Sequence, residues 1–275
     1  MEIGASTRLL TLIGDPVAHS LSPAMHNAAC RALGIDAVYL PLRVPAGALA
    51  TVLHALAATG GAGNVTVPHK EAVERSVTRK TDVCARAGAC NTFWTEHGAL
   101  VGDNTDVAGV RAALAALGGA GGPGRRWLVI GTGGSARAVA VAAAEEGAAL
   151  WVRSRHPDRA RGFTGWAKQL GVRAETAHGP LEVDTAINAT PLGLAEGDPL
   201  PIDPKDLRGA RMALDLVYAR GGTRWVRALQ AKGMTAGDGR EVLVRQGAAA
   251  FTRFFPGTAA PVDVMRAAVE RALRD

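Results

Sequence analysis

The chain has 275 residues, 48% of them hydrophobic, and a formal net charge of +6. That length suits two α/β domains, or one large one, each with its own core. No basic block with interleaved aromatic residues is present, and no segment reaches the roughly 18 apolar residues of a membrane span, which argues against nucleic acid and membranes as partners.

The first part of the chain alternates short apolar strands with helices, which predicts parallel βαβ units. Ser22 before Pro23 is a typical N-cap signature, and Pro68 is predicted to open a short helix with Lys70 in its first turn. The predicted elements are strand 8–13, helix 23–33, strand 37–44, helix 47–59, strand 63–67, helix 69–76, a hairpin of 89–94 and 99–101, and a helix from 106 to 117.

The glycine-rich segment 118–124 is predicted to be flexible and to mark a domain boundary. Beyond it the alternation of strands and helices resumes, so the sequence predicts an α/β protein with two domains. The predicted elements of this part are strand 127–130, helix 135–146, strands 148–152, 184–188 and 211–215, helix 223–232, strand 234–236, and helices 241–255 and 262–273.

Cysteine and histidine usage predicts neither a disulfide nor a metal site. Cys30, Cys84 and Cys90 show no C-x-x-C spacing, and we interpret them as free thiols in a reducing compartment. The histidines have no metal-ligand spacing, and we expect His26 and His54 at a helix surface or in satisfied polar contacts. Because the N-terminus also lacks a charged-then-apolar signal, we expect a cytoplasmic protein.

The strongest cofactor signal is a glycine-rich turn that follows strand 127–130 and precedes a helix, in the pattern G-x-G-x-x-A. The first glycine allows a tight turn, the second lets the backbone approach a pyrophosphate, and the small third residue packs helix on strand. A tight turn without a nucleotide is the alternative. The residues of the turn are Gly131, Thr132, Gly133, Gly134, Ser135 and Ala136.

The segment after the next strand indicates which dinucleotide would bind. An NAD site offers an acidic side chain to the ribose there, whereas this chain has Ser154, Arg155 and His156, with Arg159 one turn further on. Guanidinium groups pair with a 2′-phosphate that a carboxylate would repel, which favours NADP(H). A solvated arginine cluster on a loop is the alternative.

Lys70 lies in the first turn of a predicted helix, where the helix dipole disfavours a cation. A lysine in such a place is often retained for chemistry, and a solvated lysine offset by Glu71 and Glu74 is the alternative. Asp106 is interpretable as a helix N-cap, as a partner of Lys70, or as both.

Further polar clusters follow the carboxyl ends of the predicted N-terminal strands, where open α/β sheets bind ligands. Ser20 and Ser22 lie beside a helix N-terminus and suit a carboxylate; Ser22 would also cap the helix, whereas Ser20 has no evident capping role. The Asn, Thr, Lys and Asp side chains of the other clusters suit a ring that bears several hydroxyl groups.

Several motifs, taken in order, resemble those of the shikimate dehydrogenase family over nearly the whole chain. They are HSLSP at 19–23, NVTVPHK at 64–70, G-A-x-N-T at 88–92, NTD at 104–106, GTGGSAR at 131–137, NATPLG at 188–193, DLVY at 215–218 and GREVLVRQ at 239–246. The resemblance implies a substrate-binding domain of residues 1–110, completed by C-terminal helices in 239–275, and a Rossmann-like NADP-binding domain of residues 111–238. It also implies the NADP-dependent, reversible reduction of 3-dehydroshikimate to shikimate, in the pathway to chorismate and aromatic amino acids.

The same resemblance implies roles for individual residues. Lys70 and Asp106 match the catalytic pair, and such a pair suits ketone reduction because a lysine held by an aspartate can donate a proton to the developing oxyanion. The implied substrate contacts are Ser20, Ser22, Thr66, Lys70, Asn91, Asp106, Tyr218 and Gln246. The implied cofactor contacts are the turn 131–136, Ser154, Arg155, His156, Arg159, Asp82, Thr190, Leu216, Gly239 and Val242, with a solvated loop carboxylate as the alternative for Asp82.

A few positions depart from the family pattern, and two other functions stay open. Ser154 and His156 flank Arg155 where Asn and Thr are usual, Arg220 replaces a usual proline, and Val242 replaces a methionine. A quinate or aminoshikimate dehydrogenase paralogue would share most of these residues. A non-catalytic metabolite-sensing protein of the same fold would not need a proton-transfer pair. Either a monomer or a homodimer is compatible with the sequence.

Overall fold

The computed structural model describes residues 3–119, 121–195 and 197–274. The chain forms two compact units, one of Met1–Gly109 with Leu243–Asp275 and one of Val110–Val242. The elements of the first part of the chain, of which the last spans the first boundary, are β1 (Arg8–Gly14), α1 (Ser22–Ala32), β2 (Ala37–Arg43), α2 (Leu49–Ala58), β3 (Ala62–Val65), α3 (Lys70–Ser76), β4 (Arg79–Lys80), α4 (Asp82–Ala87), β5 (Thr92–Glu96), β6 (Ala99–Asp103) and α5 (Asp106–Ala116). The later elements are β7 (Arg126–Ile130), α6 (Gly134–Glu145), β8 (Ala149–Arg153), α7 (Pro157–Gln169), β9 (Ala174–Thr176), β10 (Leu181–Glu182), β11 (Thr185–Asn188), β12 (Leu207–Arg208), β13 (Met212–Asp215), α8 (Arg224–Gln230), β14 (Thr235–Gly237), α9 (Arg240–Phe254) and α10 (Val262–Ala272).

The first unit is built on a mixed sheet in the order β2-β1-β3-β5-β6-β4. Strand β1 is parallel to β2 and β3, as the βαβ pattern predicts, whereas β5 is antiparallel to both β3 and β6. Successive strand residues point to opposite faces of a sheet. Leu10 and Leu12 accordingly pack with residues of α1, α9 and α10, while Ile13 packs with residues of α2 and α3.

The second unit is built on a fully parallel sheet in the order β14-β13-β11-β7-β8-β9. The chain passes from β7 to β8 and β9, then returns to the other side of β7 as β11. This reversal creates a topological switch point at the carboxyl ends of β7 and β11, which is where open parallel sheets bind ligands. The fold class is therefore the one that the sequence predicts.

Helix α1 begins differently from its prediction. Leu21 occupies the N-cap position and Ser22 is already helical, so the prediction of Ser22 as the N-cap is wrong. Ser20, for which no capping role was expected, accepts a hydrogen bond from the Ser22 N–H at 3.2 Å. Pro23 tolerates a place within the first turn because the N–H groups there have no partner in the helix.

Helix α3 begins at Lys70, with His69 as its N-cap, so Pro68 lies outside the helix and does not open it. His69 is buried, and its Nε2 atom lies 2.6 Å from the Val44 carbonyl oxygen. This contact fixes the turn before the helix, and Lys70 is left in the first turn as predicted.

The boundary between the units lies at Gly109 and Val110. The glycine-rich segment that begins at Gly118 therefore lies within the second unit rather than between domains. Gly122 N–H donates to the Glu146 carbonyl oxygen at 2.8 Å, which ties the segment to the end of α6. The sequence analysis also missed α4 and α7.

Within the described residues, no helix is both long and apolar enough to cross a membrane. Cys30, Cys84 and Cys90 are buried free thiols, as predicted.

His26 is fully buried, so its predicted place on a helix surface or in satisfied polar contacts is wrong. Neither ring nitrogen has a hydrogen-bond partner within the described part of the chain. The ring stacks on Tyr39 with centroids 4.5 Å apart, and it also contacts Phe251 and Phe254. Helical spacing explains the burial, because His26 shares the face of α1 that carries Cys30. Burial without a partner lowers the pKa of His26 to about 3.

This buried histidine predicts a loss of stability in acid. The unfolded chain takes up a proton near the ordinary histidine pKa of about 6.5, whereas the folded protein does so only near 3. The stabilisation is therefore complete above about pH 6.5 and is lost as the pH falls toward 3. Between about pH 6.5 and about pH 5, the free energy of unfolding should fall by about 2 kcal/mol through this group.

Urea unfolding of the wild type and of His26→Phe at several pH values measures this contribution. The variant keeps an aromatic ring in the stack, and its unfolding free energy should fall less over this range. His54→Phe is the matched control, because His54 is exposed on α2. An unchanged pH slope in His26→Phe would contradict the assignment.

Candidate active site

Two helix starts in the first unit bring Lys70 and Asp106 together. Lys70 is the first residue of α3 and Asp106 the first of α5, and Lys70 Nζ lies 2.5 Å from Asp106 Oδ2. The two side chains are only 13% and 14% exposed. Lys70 is therefore an ion-paired, largely buried lysine, whereas Glu74 pairs with Lys80. Asp106 is the first residue of its helix rather than the N-cap. In this first turn its negative charge still interacts favourably with the helix dipole.

Asn91 connects this ion pair to the rest of the polar cluster. Its Nδ2 atom lies 2.7 Å from Asp106 Oδ1, 3.0 Å from Thr105 Oγ1 and 3.2 Å from Gln246 Oε1. Its Oδ1 atom accepts a hydrogen bond from the Thr105 N–H at 2.7 Å. Both carboxylate oxygens of Asp106 thus accept charged or amide donors, and the predicted residues Lys70, Asn91, Asp106 and Gln246 form one connected cluster.

Thr66 follows β3, and its N–H donates to the Ile13 carbonyl oxygen at 2.8 Å. A Cβ atom added to Gly14 would collide with Thr66 Cγ2, so only a glycine at this position leaves room for the Thr66 side chain. The two residues lie at the ends of neighbouring strands. Ser22 is buried at the start of α1, and Ser20 beside it is partly exposed. The predicted ligands Ser20, Ser22 and Thr66 therefore follow the carboxyl ends of β1 and β3, where a ligand site was expected.

Three residues of this cluster were not predicted as site residues, namely Asn64, Thr92 and Thr105. Asn64 Nδ2 donates to Thr92 Oγ1 at 3.0 Å and to the Asn91 carbonyl oxygen at 3.2 Å. Thr92 Oγ1 lies 3.0 Å from Thr105 Oγ1. All three lie within motifs of the family resemblance, which was the available signal, and their buried amide and hydroxyl groups hold Asn91 in one orientation.

In the second unit, the turn after β7 has the geometry that a dinucleotide needs. Gly131 has φ +116°, where a side chain is strained, and its Cβ would come within 2.9 Å of the Ala189 carbonyl oxygen. Gly133 is the N-cap of α6, and no side chain within the described part of the chain caps that helix. A Cβ on Gly133 would meet no atom of the described residues within 4 Å, so the space beside Gly133 is open. The exposed helix start and open space fit a pyrophosphate.

The loops after β11 and β13 bring further predicted cofactor residues to this edge of the sheet. Thr190 Cγ2 lies 3.2 Å from the position of a Cβ on Gly131. Gly239 approaches Leu216 so closely that a Cβ would collide with the Leu216 carbonyl oxygen. Gly239 follows β14, and β7, β11, β13 and β14 are neighbours, so these residues follow the carboxyl ends of four adjacent parallel strands.

A buried polar group that the sequence analysis did not assign holds these loops. Asp215 is fully buried and accepts hydrogen bonds from Asn188 Nδ2 at 2.8 Å, Thr223 Oγ1 at 2.7 Å and the Val217 N–H at 3.1 Å. Asn188 Oδ1 in turn accepts the Thr190 hydroxyl at 2.6 Å. Burial raises the pKa of Asp215 to about 6, against the opposing effect of these donors. The carboxyl group thus joins the ends of β11 and β13 to the start of α8.

The predicted 2′-phosphate ligands follow β8. Arg155, His156 and Arg159 are exposed, and the His156 N–H donates to Ser154 Oγ at 3.2 Å. Arg153 is bound to the Gly179 carbonyl oxygen. The exposed guanidinium groups of Arg155 and Arg159 therefore suit an anion better than Arg153 does.

Three further predicted ligands differ in their exposure to solvent. Asp82 is exposed at the start of α4, Tyr218 is partly buried after β13, and Val242 is 8% exposed in α9. Their roles remain predictions.

Comparison with known proteins agrees with this geometry. Two family profiles match, "Shikimate dehydrogenase substrate binding domain" over residues 12–93 and "Shikimate 5'-dehydrogenase C-terminal domain" over residues 239–270. The NADP(+) shikimate dehydrogenase of Rubrobacter xylanophilus is 41% identical over 98% of this chain and 97% of its own length. The corresponding protein of Moorella thermoacetica is 39% identical over 100% of this chain and 95% of its own. The chain belongs to the shikimate dehydrogenase family.

A solved structure of the shikimate dehydrogenase family supports the same conclusion. Shikimate 5-dehydrogenase from Thermus thermophilus, crystallised in complex with NADP(H) and shikimate, matches with a TM-score of 0.84 at 36% identity. The match covers 97% of this chain and 100% of that one. The family resemblance predicted from the motifs is thereby confirmed.

Proposed function

We propose that this chain catalyses the NADP-dependent, reversible oxidation of shikimate to 3-dehydroshikimate. The observation that carries this proposal is the Lys70–Asp106 ion pair, held by Asn91 within a cluster of amide and hydroxyl groups. Membership of the shikimate dehydrogenase family supports it, since the relatives above are named for this activity. A pure metabolite-binding protein would have no need of a buried proton donor.

The substrate ligands follow from the chemistry of the cluster. Ser20 and Ser22, at the start of α1, bind the substrate carboxylate, where the helix dipole also favours an anion. Asn91, Thr66 and Gln246 bind ring hydroxyl groups, because amide and hydroxyl groups both donate and accept hydrogen bonds. We further propose that Tyr218 contacts the substrate.

Lys70 and Asp106 carry out the proton transfer. During reduction of 3-dehydroshikimate, negative charge develops on the ketone oxygen, and Lys70 stabilises it and donates a proton to it. Asp106 orients Lys70 through the 2.5 Å contact and accepts a hydrogen bond from a substrate hydroxyl group. In the oxidation direction the same lysine takes the hydroxyl proton and releases it to water.

The residues of the second unit fit NADP(H), whose nicotinamide supplies the hydride donor or acceptor. The glycine turn and the uncapped start of α6 would hold the pyrophosphate, and Arg155 and Arg159 the 2′-phosphate. Thr190, Leu216, Gly239 and Val242 would border the nicotinamide, and Asp82 is proposed as a further cofactor contact.

A spectrophotometric assay at the nicotinamide absorbance band tests the proposed function, with shikimate and quinate each crossed with NADP⁺ and NAD⁺. We expect the highest kcat/KM for shikimate with NADP⁺. A higher value for quinate would identify the paralogue instead, and no reduction with any pair would contradict the dehydrogenase assignment.

Arg155→Asp is expected to weaken NADP⁺ far more than NAD⁺, by about 100-fold in kcat/KM, because one favourable charge is replaced by a repulsive one beside the 2′-phosphate. The measurement is kcat/KM for both cofactors at saturating shikimate. Arg173→Asp is the matched control, since Arg173 is an exposed arginine before the amino-terminal end of β9, whereas Arg155 follows the carboxyl end of the neighbouring strand β8. Equal losses for NADP⁺ and NAD⁺ in Arg155→Asp would show that this residue does not recognise the 2′-phosphate.

A further inference from the structure

The buried hydroxyl group of Tyr39 is connected to the proposed substrate site through Asn64. Tyr39 lies on β2 and is fully buried, and its hydroxyl group donates to Asn64 Oδ1 at 2.8 Å. Asn64 Nδ2 in turn donates to the Asn91 carbonyl oxygen and to Thr92 Oγ1. The phenol hydroxyl group is therefore linked through one side chain to the residues proposed to bind the ring hydroxyl groups.

The direction of each hydrogen bond in this chain follows from its last acceptor. The Asn91 carbonyl oxygen has no proton, so Asn64 Nδ2 donates to it and Asn64 Oδ1 must face Tyr39 as an acceptor. Tyr39 has a single hydroxyl proton, which it donates to Asn64. The chain of bonds therefore runs in one direction, from Tyr39 through Asn64 to Asn91.

The ring and backbone of Tyr39 are held as well. The ring stacks on His26 at an interplanar angle of 10°. The side-chain amide of Asn27 donates to the Tyr39 carbonyl oxygen and accepts from its N–H, each at 2.8 Å. Burial raises the pKa of Tyr39, so the hydroxyl group keeps the proton that this arrangement needs. Tyr39 is therefore a firmly held donor to the Asn64 side chain.

We propose that Tyr39 is a positioning residue of the substrate site, whose hydroxyl group sets the orientation of Asn64 before the substrate binds. The proposal rests on the proposed function. Tyr39 acts through Asn64 on Asn91 and Thr92, and it does not itself touch the substrate. Such preorganisation lowers the ordering cost of binding, so its loss should raise KM for shikimate rather than KM for NADP⁺.

The test is the kinetics of Tyr39→Phe, which keeps the ring and removes only the hydroxyl group. We expect KM for shikimate to rise about tenfold, as for the loss of one buried hydrogen bond, with kcat within about threefold of wild type and KM for NADP⁺ unchanged. Phe251→Leu perturbs the same aromatic cluster without a hydrogen bond, and it should lower Tm while leaving KM for shikimate unchanged.

A second background separates positioning from general destabilisation. Because Tyr39 acts through Asn64, Tyr39→Phe should raise KM less in an Asn64→Ala background than in the wild type. Equal effects in both backgrounds, or an unchanged KM in Tyr39→Phe itself, would overturn the proposal while wild-type turnover of shikimate upholds the function. A wild-type protein inactive with shikimate would overturn both.

Discussion

Lys70→Ala is expected to lower kcat for shikimate oxidation by about a thousandfold, with folding and NADP⁺ binding intact. Lys70 is the proposed proton donor and acceptor, and alanine leaves only water to take the proton. Steady-state assays at saturating shikimate and NADP⁺ measure the loss. Circular dichroism and the dissociation constant of NADP⁺ check the fold and the cofactor site separately.

The matched control for this variant is Lys80→Ala. Lys80 also lies in the first unit and forms an ion pair, with Glu74 at 2.6 Å, but this pair is outside the polar cluster. Its removal should leave kcat within about twofold of wild type, because a partly exposed ion pair contributes little. Near-normal turnover in Lys70→Ala would show that proton transfer does not depend on this lysine.

Asp106→Asn is expected to lower kcat by about a hundredfold, because both oxygens of Asp106 face hydrogen-bond donors and an amide NH₂ group cannot accept from either. Asp106 Oδ2 accepts from Lys70 and Oδ1 accepts from Asn91, so an asparagine must turn its NH₂ group toward one of these donors. One of the two bonds is then lost, and Lys70 is no longer held where the ketone oxygen forms.

Asp263→Asn is the control for this second variant. The same substitution is made there at an exposed turn of α10, where Asp263 forms an ion pair with Arg266 at 2.7 Å. Its kcat should be unchanged. If Asp106→Asn kept full kcat and raised only KM for NADP⁺, Asp106 would have no part in positioning Lys70.

Local signals in the sequence predicted much of the fold. The glycine turn was identified because tight turns, close backbone approach and helix starts need particular residues at fixed spacing. Strands β1, β2 and β7 were found because their apolar residues are bounded by turn residues. The start of α1 was misplaced by one residue, because Leu21 and Ser22 compete for the N-cap and only the fold decides between them.

The polar networks could not be predicted in the same way. Tyr39 and Asn64 are 25 residues apart, and nothing in the spacing of either residue indicates the other. His26 has the helical spacing of a core residue, yet its polar ring made a surface position more plausible. Asp215 was noted within a motif, but its role in joining three segments depends on Thr223 and Asn188, which only the sheet order brings close.

Several members of the cluster around Lys70 were predicted from the sequence, but most of their mutual contacts were not. The family resemblance named Lys70, Asp106, Asn91 and Gln246, and the structure shows these four residues in one hydrogen-bonded group. The contacts of Asp106 with both Lys70 and Asn91 explain why substitution there should be felt by the whole cluster.

The central claim is that hydride passes from shikimate to NADP⁺ on this chain. The most direct test is the mass of the NADPH formed from shikimate that carries deuterium on the carbon bearing the oxidised hydroxyl group. We expect the deuterium to appear in NADPH, with 3-dehydroshikimate as the other product. Unlabelled NADPH, or no NADPH at all, would contradict it.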